Sequence, residues 1–327
     1  MDWRGKVALV TGAGGFIGSH LVETLAELGA DVRAFVHYNA LGTHGWLDGS
    51  PAADRITVIA GDVADADSVR DAMRGVDTVF HLAALIAIPY SYRAPRSYIR
   101  TNVEGTLNVM QAARETGVRR VVHTSTSEVY GTAQYVPIDE SHPLVGQSPY
   151  AATKIGADKI AESFQRSFGI PVVTVRPFNT FGPRQSARAV IPTIITQVLA
   201  GDRVRLGSIA PRRDMSHVSN TVDGFIAAGA SPLAPGETIN LGSGREIGIG
   251  DLAQLIARIA ERPIRIEADA ERLRPDASEV DRLIADVAKA RRLLGWEPRV
   301  SLEDGLMRTI HWTAANLDRY RAGAYTV

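Results

Sequence analysis

Residues 6–21 constrain this chain more than any other stretch: Lys6-Val7-Ala8-Leu9-Val10-Thr11-Gly12-Ala13-Gly14-Gly15-Phe16-Ile17-Gly18-Ser19-His20-Leu21. An apolar, partly β-branched run ends in a glycine cluster. An amphipathic segment with Phe16, Ile17, Leu21, Leu25 and Leu28 follows. That order predicts a buried strand, a tight turn and a helix. Gly12, Gly15 and Gly18 stand three apart. Glycines there let the backbone turn sharply and approach a pyrophosphate, which the helix N-terminus holds with free N–H groups and its positive dipole end. The expected dinucleotide contacts are Gly12, Gly15, Phe16, Ile17 and Gly18; the bland alternative is a plain strand–helix turn.

The rest of the chain narrows the class. With 327 residues there is material for one large or two moderate domains. The 36 basic and 36 acidic side chains cancel, so bulk attraction to nucleic acid is not expected. There is no cysteine, which excludes disulfides, thiol catalysis and cysteine metal sites. No metal is expected. No apolar run approaches the ~20 residues that span a bilayer. The start lacks a signal peptide's apolar core, so the expected location is the cytoplasm.

Further strands are expected at Asp31 to Val36, Ile56 to Ala60, Thr78 to His81 and Arg120 to Ser125, with a helix over Tyr98 to Thr116. Alternating strands and helices predict an α/β fold with a doubly wound parallel sheet, its ligand at the carboxyl ends of the strands. The second strand ends on Val36, where NAD-binding units place a carboxylate. His37 or Arg33 is then available to a 2′-phosphate, which puts NADP slightly ahead of NAD. Asp62, followed by Val63, is placed to accept from an adenine amine or to cap a turn. Leu82, Ala83 and Ala84 are small enough at the fourth strand's end to let a cofactor lie close. Residues 40–55 form a loop in which Trp46 and Leu47 pack locally or cover the cofactor. Asn102 is expected near the active site as a buried polar anchor or substrate contact.

The fifth strand runs into Thr124-Ser125-Thr126-Ser127-Glu128-Val129-Tyr130-Gly131, an unusual polar cluster for a core. Downstream, Tyr150 and Lys154 stand four apart and share one helix face. An ammonium beside a phenol is expected to lower the tyrosine pKa and make it a general base.

These motifs resemble the NAD-dependent epimerase/dehydratase family of extended short-chain dehydrogenase/reductases. The resemblance rests on Thr-Gly-x-x-Gly-Phe-Ile-Gly, Ser-Thr-Ser-Glu-Val-Tyr-Gly and Tyr-x-x-x-Lys. It extends through the segments 176–184, 213–218 and 240–244. It implies a Rossmann-type sheet with a smaller C-terminal substrate-binding lobe. The dinucleotide domain is expected over residues 1–176 with 231–259, and the substrate lobe over 177–230 and 260–327. Within the family, Thr126-Ser127-Glu128 is similar to the GDP-mannose type of sugar-nucleotide 4,6-dehydratases, and Arg274-Pro275 with Ser278 to Asp281 resembles that group too. Residues 33–48 and 87–92 resemble the N-acetylglucosamine-nucleotide 4,6-dehydratases of legionaminic acid pathways.

The resemblance implies a catalytic set of Thr126, Ser127, Glu128, Tyr150 and Lys154, acting with a bound NAD or NADP that is regenerated each turnover. Serine at 127, where other dehydratases carry aspartate, leaves open which group protonates the leaving hydroxyl. Arginines bind a diphosphate with two parallel hydrogen bonds. Of the scattered Arg184, Arg188, Arg205, Arg212, Arg213 and Arg274, motif context favours Arg213 and Arg274. Arg184, Asn179 and Glu279 complete the expected substrate contacts. A final amphipathic helix is read over Ser301 to Tyr320. The helices 96–116 and 150–168 imply a homodimer, as in the family, or bury their apolar faces internally.

Overall fold

The computed structural model describes residues 2–320. Among the described residues thirteen strands run in chain order: β1 Val7–Thr11, β2 Asp31–His37, β3 Ile56–Gly61, β4 Thr78–His81, β5 Arg120–Thr124, β6 Val172–Pro177, β7 Asn179–Phe181, β8 Arg203–Leu206, β9 Arg212–His217, β10 Thr238–Leu241, β11 Glu246–Gly248, β12 Arg265–Ala268 and β13 Arg282–Leu283. Seven make one sheet in the order β10-β6-β5-β4-β1-β2-β3, every pairing parallel. This is the doubly wound arrangement, which opens a crevice where the strand order reverses beside β1. A smaller sheet joins β11, β9 and β13, with β7 also on β9, and β8 pairs with β12.

The large sheet is covered on both faces, so its strands are near-continuous apolar runs. Alternation along β1 serves two cores: Ala8 and Val10 join Leu21, Leu25, Phe80 and Phe225, while Leu9 joins Phe35, Met73, Met110 and Val121. A third core, with Phe181, Ile194, Ile195, Leu252, Ile256 and Leu306, holds the smaller lobe.

The lobe boundaries differ from the sequence expectation because packing partners, not chain order, set them. The helix Val218–Ala230 buries Val222 and Phe225 in the first core, and the helix Ala288–Leu294 adds Ala290 there. In contrast, β11 pairs with β9, and the helix Ile249–Ile259 buries Leu252 and Ile256 in the third core. Residues 218–230 and 288–294 thus pack with the large sheet, and 246–259 with the lobe.

The expected single helix over 98–116 is also modified. A four-residue turn, Pro95–Tyr98, leads into a π-helical stretch, Ile99–Glu104, before the α-helix Gly105–Thr116. The final helix is Leu302–Ala315, followed by a short turn at Leu317–Arg319. No helix among the described residues is long and apolar enough to cross a membrane.

Candidate active site

A cavity of about 1220 Å³ lies at the carboxyl ends of β1, β4 and β5 and extends between the lobes. It exceeds the ~300–1,000 Å³ of most small-molecule sites, as a site for two ligands should. One end is the glycine turn. Gly12 has φ +69, and a Cβ there would lie 2.9 Å from the Ala83 nitrogen; at Gly18 it would lie 2.2 Å from the Gly12 carbonyl. Both positions therefore require glycine for the close packing of turn, helix and β4 end. The helix Phe16–Glu27 starts at Gly15 with no capping side chain and no acid in its first turn. Its N–H groups and positive dipole end are left to an anion, so the residues present fit a dinucleotide pyrophosphate.

The β4 end is fixed by a chain of hydrogen bonds. Thr106 Oγ1 donates to the Asn102 carbonyl (2.7 Å), so His81 Nε2 must donate to Thr106 (3.1 Å). His81 Nδ1 then accepts from Thr11 Oγ1 (2.9 Å), which itself accepts from the Leu82 and Ala83 nitrogens (3.1 Å each). Burial, with His123 and Lys154 nearby, holds the His81 imidazole well below its ordinary range and neutral.

Tyr150 and Lys154 project from the helix Pro149–Phe168. Ser148 caps it by accepting from the Ala151 nitrogen (3.1 Å), Pro149 fits the first turn, and Gly169 with φ +68 ends it. Both side chains are buried in the cavity wall. The expected lowering of the Tyr150 pKa is not what this arrangement gives. Burial pushes the phenol well up; a hydrogen bond with Thr126 opposes this, and the Glu128 charge adds to it. The Lys154 ammonium donates instead to the Thr124 carbonyl, and burial lowers its own pKa to about 8. Thr126 caps the short turn Ser127–Tyr130 by accepting from the Glu128 nitrogen (3.2 Å), which sets Thr126, Ser127 and Glu128 in the wall beside Tyr150.

On the lobe side, Arg213 is buried on β9. It donates to Glu279 Oε1 (3.1 Å) and to the Arg212 carbonyl (3.1 Å), and Arg274 faces the same carboxylate oxygen at 3.6 Å. Glu279 thus gathers two guanidinium groups onto the cavity wall. Asn179 lines the cavity too, and its buried Nδ2 has no hydrogen-bond partner.

Most of the expected contacts line this one cavity: Gly12, Gly15, Phe16, Ile17, Gly18, His37, Leu82, Ala83, Ala84, the catalytic set, and Asn179, Arg184, Arg213, Arg274 and Glu279. Three do not. Asn102 is fully buried on the π-helical turn, donating to the Leu85 carbonyl (3.0 Å) and Thr153 Oγ1 (3.0 Å) and accepting from the Leu85 nitrogen (2.8 Å). It is an anchor, not a substrate contact. Asp62 accepts from the Ala64 nitrogen (2.9 Å) as a turn aspartate, and Val63 is buried in the second core. Arg184 reaches the cavity with its guanidinium held by Glu23 (2.9 Å). Arg33, the other candidate for a 2′-phosphate, donates to the Arg74 and Ala72 carbonyls (2.6 and 3.2 Å).

The sequence offers Trp46 as a cover for the cofactor but not the clasp that holds it over the glycine turn. The Trp46 nitrogen donates to the Gly14 carbonyl (3.0 Å), and the Trp46 ring meets Trp312 edge-on at 5.4 Å with the Arg319 cation 5.1 Å away. Trp46 therefore covers the cavity and joins the two lobes, while Leu47 packs into the first core. No local signal connects Trp46 to Trp312.

A parallel sheet with a glycine-turn crevice, a buried Tyr–Lys pair and an arginine-lined second lobe defines a dinucleotide-dependent enzyme of the short-chain dehydrogenase/reductase type. The comparisons agree. Residues 9–309 match the family model for GDP-mannose 4,6 dehydratase. The chain is 35% identical over 314 residues to a dTDP-glucose 4,6-dehydratase of Streptomyces antibioticus, covering 94% of this chain and 92% of that protein. It is 33% identical to a UDP-glucose 4-epimerase of Mycolicibacterium smegmatis, covering 93% and 97%. Among solved structures, the dTDP-glucose 4,6-dehydratase DesIV from Streptomyces venezuelae, with NAD and TYD bound, superposes with a TM-score of 0.87 at 33% identity, covering 96% of this chain and 98% of that one. The chain belongs to the NAD-dependent epimerase/dehydratase family of extended short-chain dehydrogenase/reductases, whose members similar to it act on nucleotide sugars as dehydratases and as 4-epimerases.

Proposed function

We propose that the chain is a nucleotide-sugar 4,6-dehydratase, converting a UDP- or GDP-linked hexose, of the N-acetylglucosamine type, into its 4-keto-6-deoxy form. The observation that carries this is Glu128. A carboxylate stands in the same wall as Thr126 and Tyr150, where a plain alcohol oxidation needs none. Bound at the glycine turn, a nicotinamide dinucleotide supplies a reversible hydride acceptor. The structural neighbours that hold NAD support NAD for this chain, and the engagement of Arg33 removes one argument for NADP.

Tyr150 takes the C4 hydroxyl proton as that carbon becomes a ketone. Because burial holds the phenol protonated, Tyr150 must give up its own proton before it can take this one, and the Thr126 hydrogen bond favours that loss. Thr126 orients the phenol, and the 4-ketone acidifies C5–H. Glu128 removes that proton, Ser127 or Glu128 gives one to the departing C6 hydroxyl so that it leaves as water, and the 6-deoxy product would be completed by return of the C4 hydride to C6 and of a proton to C5. Arg213, Arg274 and Asn179 hold the diphosphate. The proposed enzyme acts in the cytoplasm as a homodimer, a pairing supported by exposed Ile99 on the π-helical stretch and by exposed Leu107 and Phe168 on the helices Gly105–Thr116 and Pro149–Phe168.

The epimerase relatives favour a second reading, inversion at C4 with no water lost. Turnover in heavy water by wild type and by Glu128→Gln separates the two. A dehydratase places deuterium at C5 of a keto product. The Gln variant, unable to accept that proton, is expected to accumulate reduced nicotinamide while 6-deoxy product falls by ~10²-fold or more. Unlabelled C5 together with full activity of the variant ends the dehydratase reading. Mass spectrometry of products from several nucleotide sugars identifies base and sugar.

A further inference from the structure

One buried carboxylate takes no part in the chemistry above yet is bonded to side chains of the strands that flank the Tyr150–Lys154 helix. Asp158 lies four residues after Lys154, as Lys154 lies four after Tyr150, so the three share one face of their helix. It is 5% exposed. Its Oδ1 accepts from His123 Nε2 (3.0 Å), and its Oδ2 accepts from Ser125 Oγ (2.7 Å) and Arg176 Nη2 (3.0 Å). Arg176 continues to the Tyr130 hydroxyl (3.0 Å), which donates to Asn240 Oδ1 (2.7 Å). A single carboxylate therefore ties the catalytic helix to β5, to β6 and, through Tyr130, to the turn that bears Glu128.

We propose that Asp158 is a positioning residue that keeps Lys154 protonated in a dry site and fixes the strand end carrying the Thr124 carbonyl and the Thr126 hydroxyl. Among the described residues, the groups facing Lys154 leave no other carboxylate for that role. On its own helix these are Tyr150 and Asp158; from β4 comes His81 and from β5 His123, both held neutral by burial. Arg176 on β6 faces Asp158, and Glu128 faces Tyr150. Burial alone drives the lysine towards its neutral form, and Asp158 is the charge that opposes it. Ser125 adds the mechanical link: bonded to Asp158, it sits between Thr124, which receives the ammonium, and Thr126, which bonds Tyr150.

The inference rests on the proposed function only for its kinetic arm, which uses sugar C4 oxidation, a step that dehydratases and 4-epimerases share. In Asp158→Asn the alkaline limb of that rate, read as the first turnover in the absorbance band of reduced nicotinamide, is expected to move about one pH unit lower, a loss of about tenfold on the alkaline side, with KM within about twofold. A uniform loss with the limb in place overturns the proposal.

The second arm needs no substrate or cofactor. Lys154 falls from 10.5 to about 8 in the folded protein. Between those values the unfolded chain binds a proton that the folded one does not, so stability rises with pH through that window. In cofactor-stripped Asp158→Asn the rise in Tm is expected to begin about one pH unit lower than in stripped wild type. Coincident onsets overturn the proposal. Should Asp158→Asn fail to fold, Asp158→Asn with Arg176→Gln removes both buried charges and is read the same way. Wild type that oxidises no nucleotide sugar overturns the functional reading, and the stripped protein then decides this inference alone.

Discussion

The large sheet and the substrate lobe each hold their site-bearing segments with one buried aspartate, and they do so by opposite means. Asp158 is met by the Arg176 cation and by the His123 and Ser125 donors. Burial pushes its carboxyl up, but these partners outweigh burial and hold it below the ordinary range. Asp214, beside Arg213 on β9, is fully buried with no cation among its hydrogen-bond donors. Its Oδ1 accepts from the Ser243 nitrogen (2.7 Å) and hydroxyl (2.6 Å), and its Oδ2 from the Gly244 (2.9 Å) and Ala285 (3.1 Å) nitrogens. There burial prevails and the carboxyl is raised. The difference follows from the elements. The seven-strand sheet satisfies its own backbone and leaves Asp158 to join side chains. In the turn from β10 to β11 the Ser243 and Gly244 N–H groups, and just after β13 that of Ala285, lie outside any strand ladder, and the Asp214 carboxylate collects them.

The strongest way to break this contrast is to remove the cation. Arg176→Met strands Asp158 in the core, and the expected cost is about 3–5 kcal/mol in urea unfolding. A cost below about 1 kcal/mol means that the donors alone suffice, as they do for Asp214, and the contrast disappears.

Asp214→Asn is the milder counterpart. The amide keeps the size but sets N–H groups against N–H donors, at an expected cost of about 1–3 kcal/mol. Because Arg213 adjoins Asp214, KM for the nucleotide sugar should rise more than kcat falls. An unchanged KM detaches Asp214 from the substrate wall.

The same contrast governs what the sequence discloses. The glycine turn is legible because strand, glycines and helix are consecutive, and Tyr150 with Lys154 because helical spacing places them on one face. Asp158 continues that spacing, yet a lone carboxylate on a helix reads equally well as a solvated charge. The lobe is less legible because its contacts join distant segments. Arg213 needs Glu279, Arg184 is taken by Glu23, and Trp46 finds Trp312, and nothing local fixes those pairs. The apolar helices 218–230 and 249–259 look alike in sequence, and only the sheet each packs on separates them. The π-helical turn that buries Asn102 likewise leaves no pattern distinct from an ordinary helix.

The smallest effect is also the most discriminating, because the two aspartates must answer acid with opposite signs. Asp158 is depressed below 3.8, so its contribution is complete above that value and is lost as pH falls through its folded pKa. Asp214 is raised above 3.8, so the folded protein binds its proton first, and wild type gains stability from this group as pH falls towards 3.8. Each slope is bounded by one proton, about 1.4 kcal/mol per pH unit. In thermal melts across acid pH, the Tm gap between wild type and Asp158→Asn should therefore hold steady down to 3.8 and shrink below it. The gap between wild type and Asp214→Asn should widen on the way down to 3.8 and then level off. Two gaps that shrink together would show that hydrogen-bond donors stabilise the Asp214 carboxylate as firmly as a cation stabilises Asp158, and that the two regions anchor their sites alike.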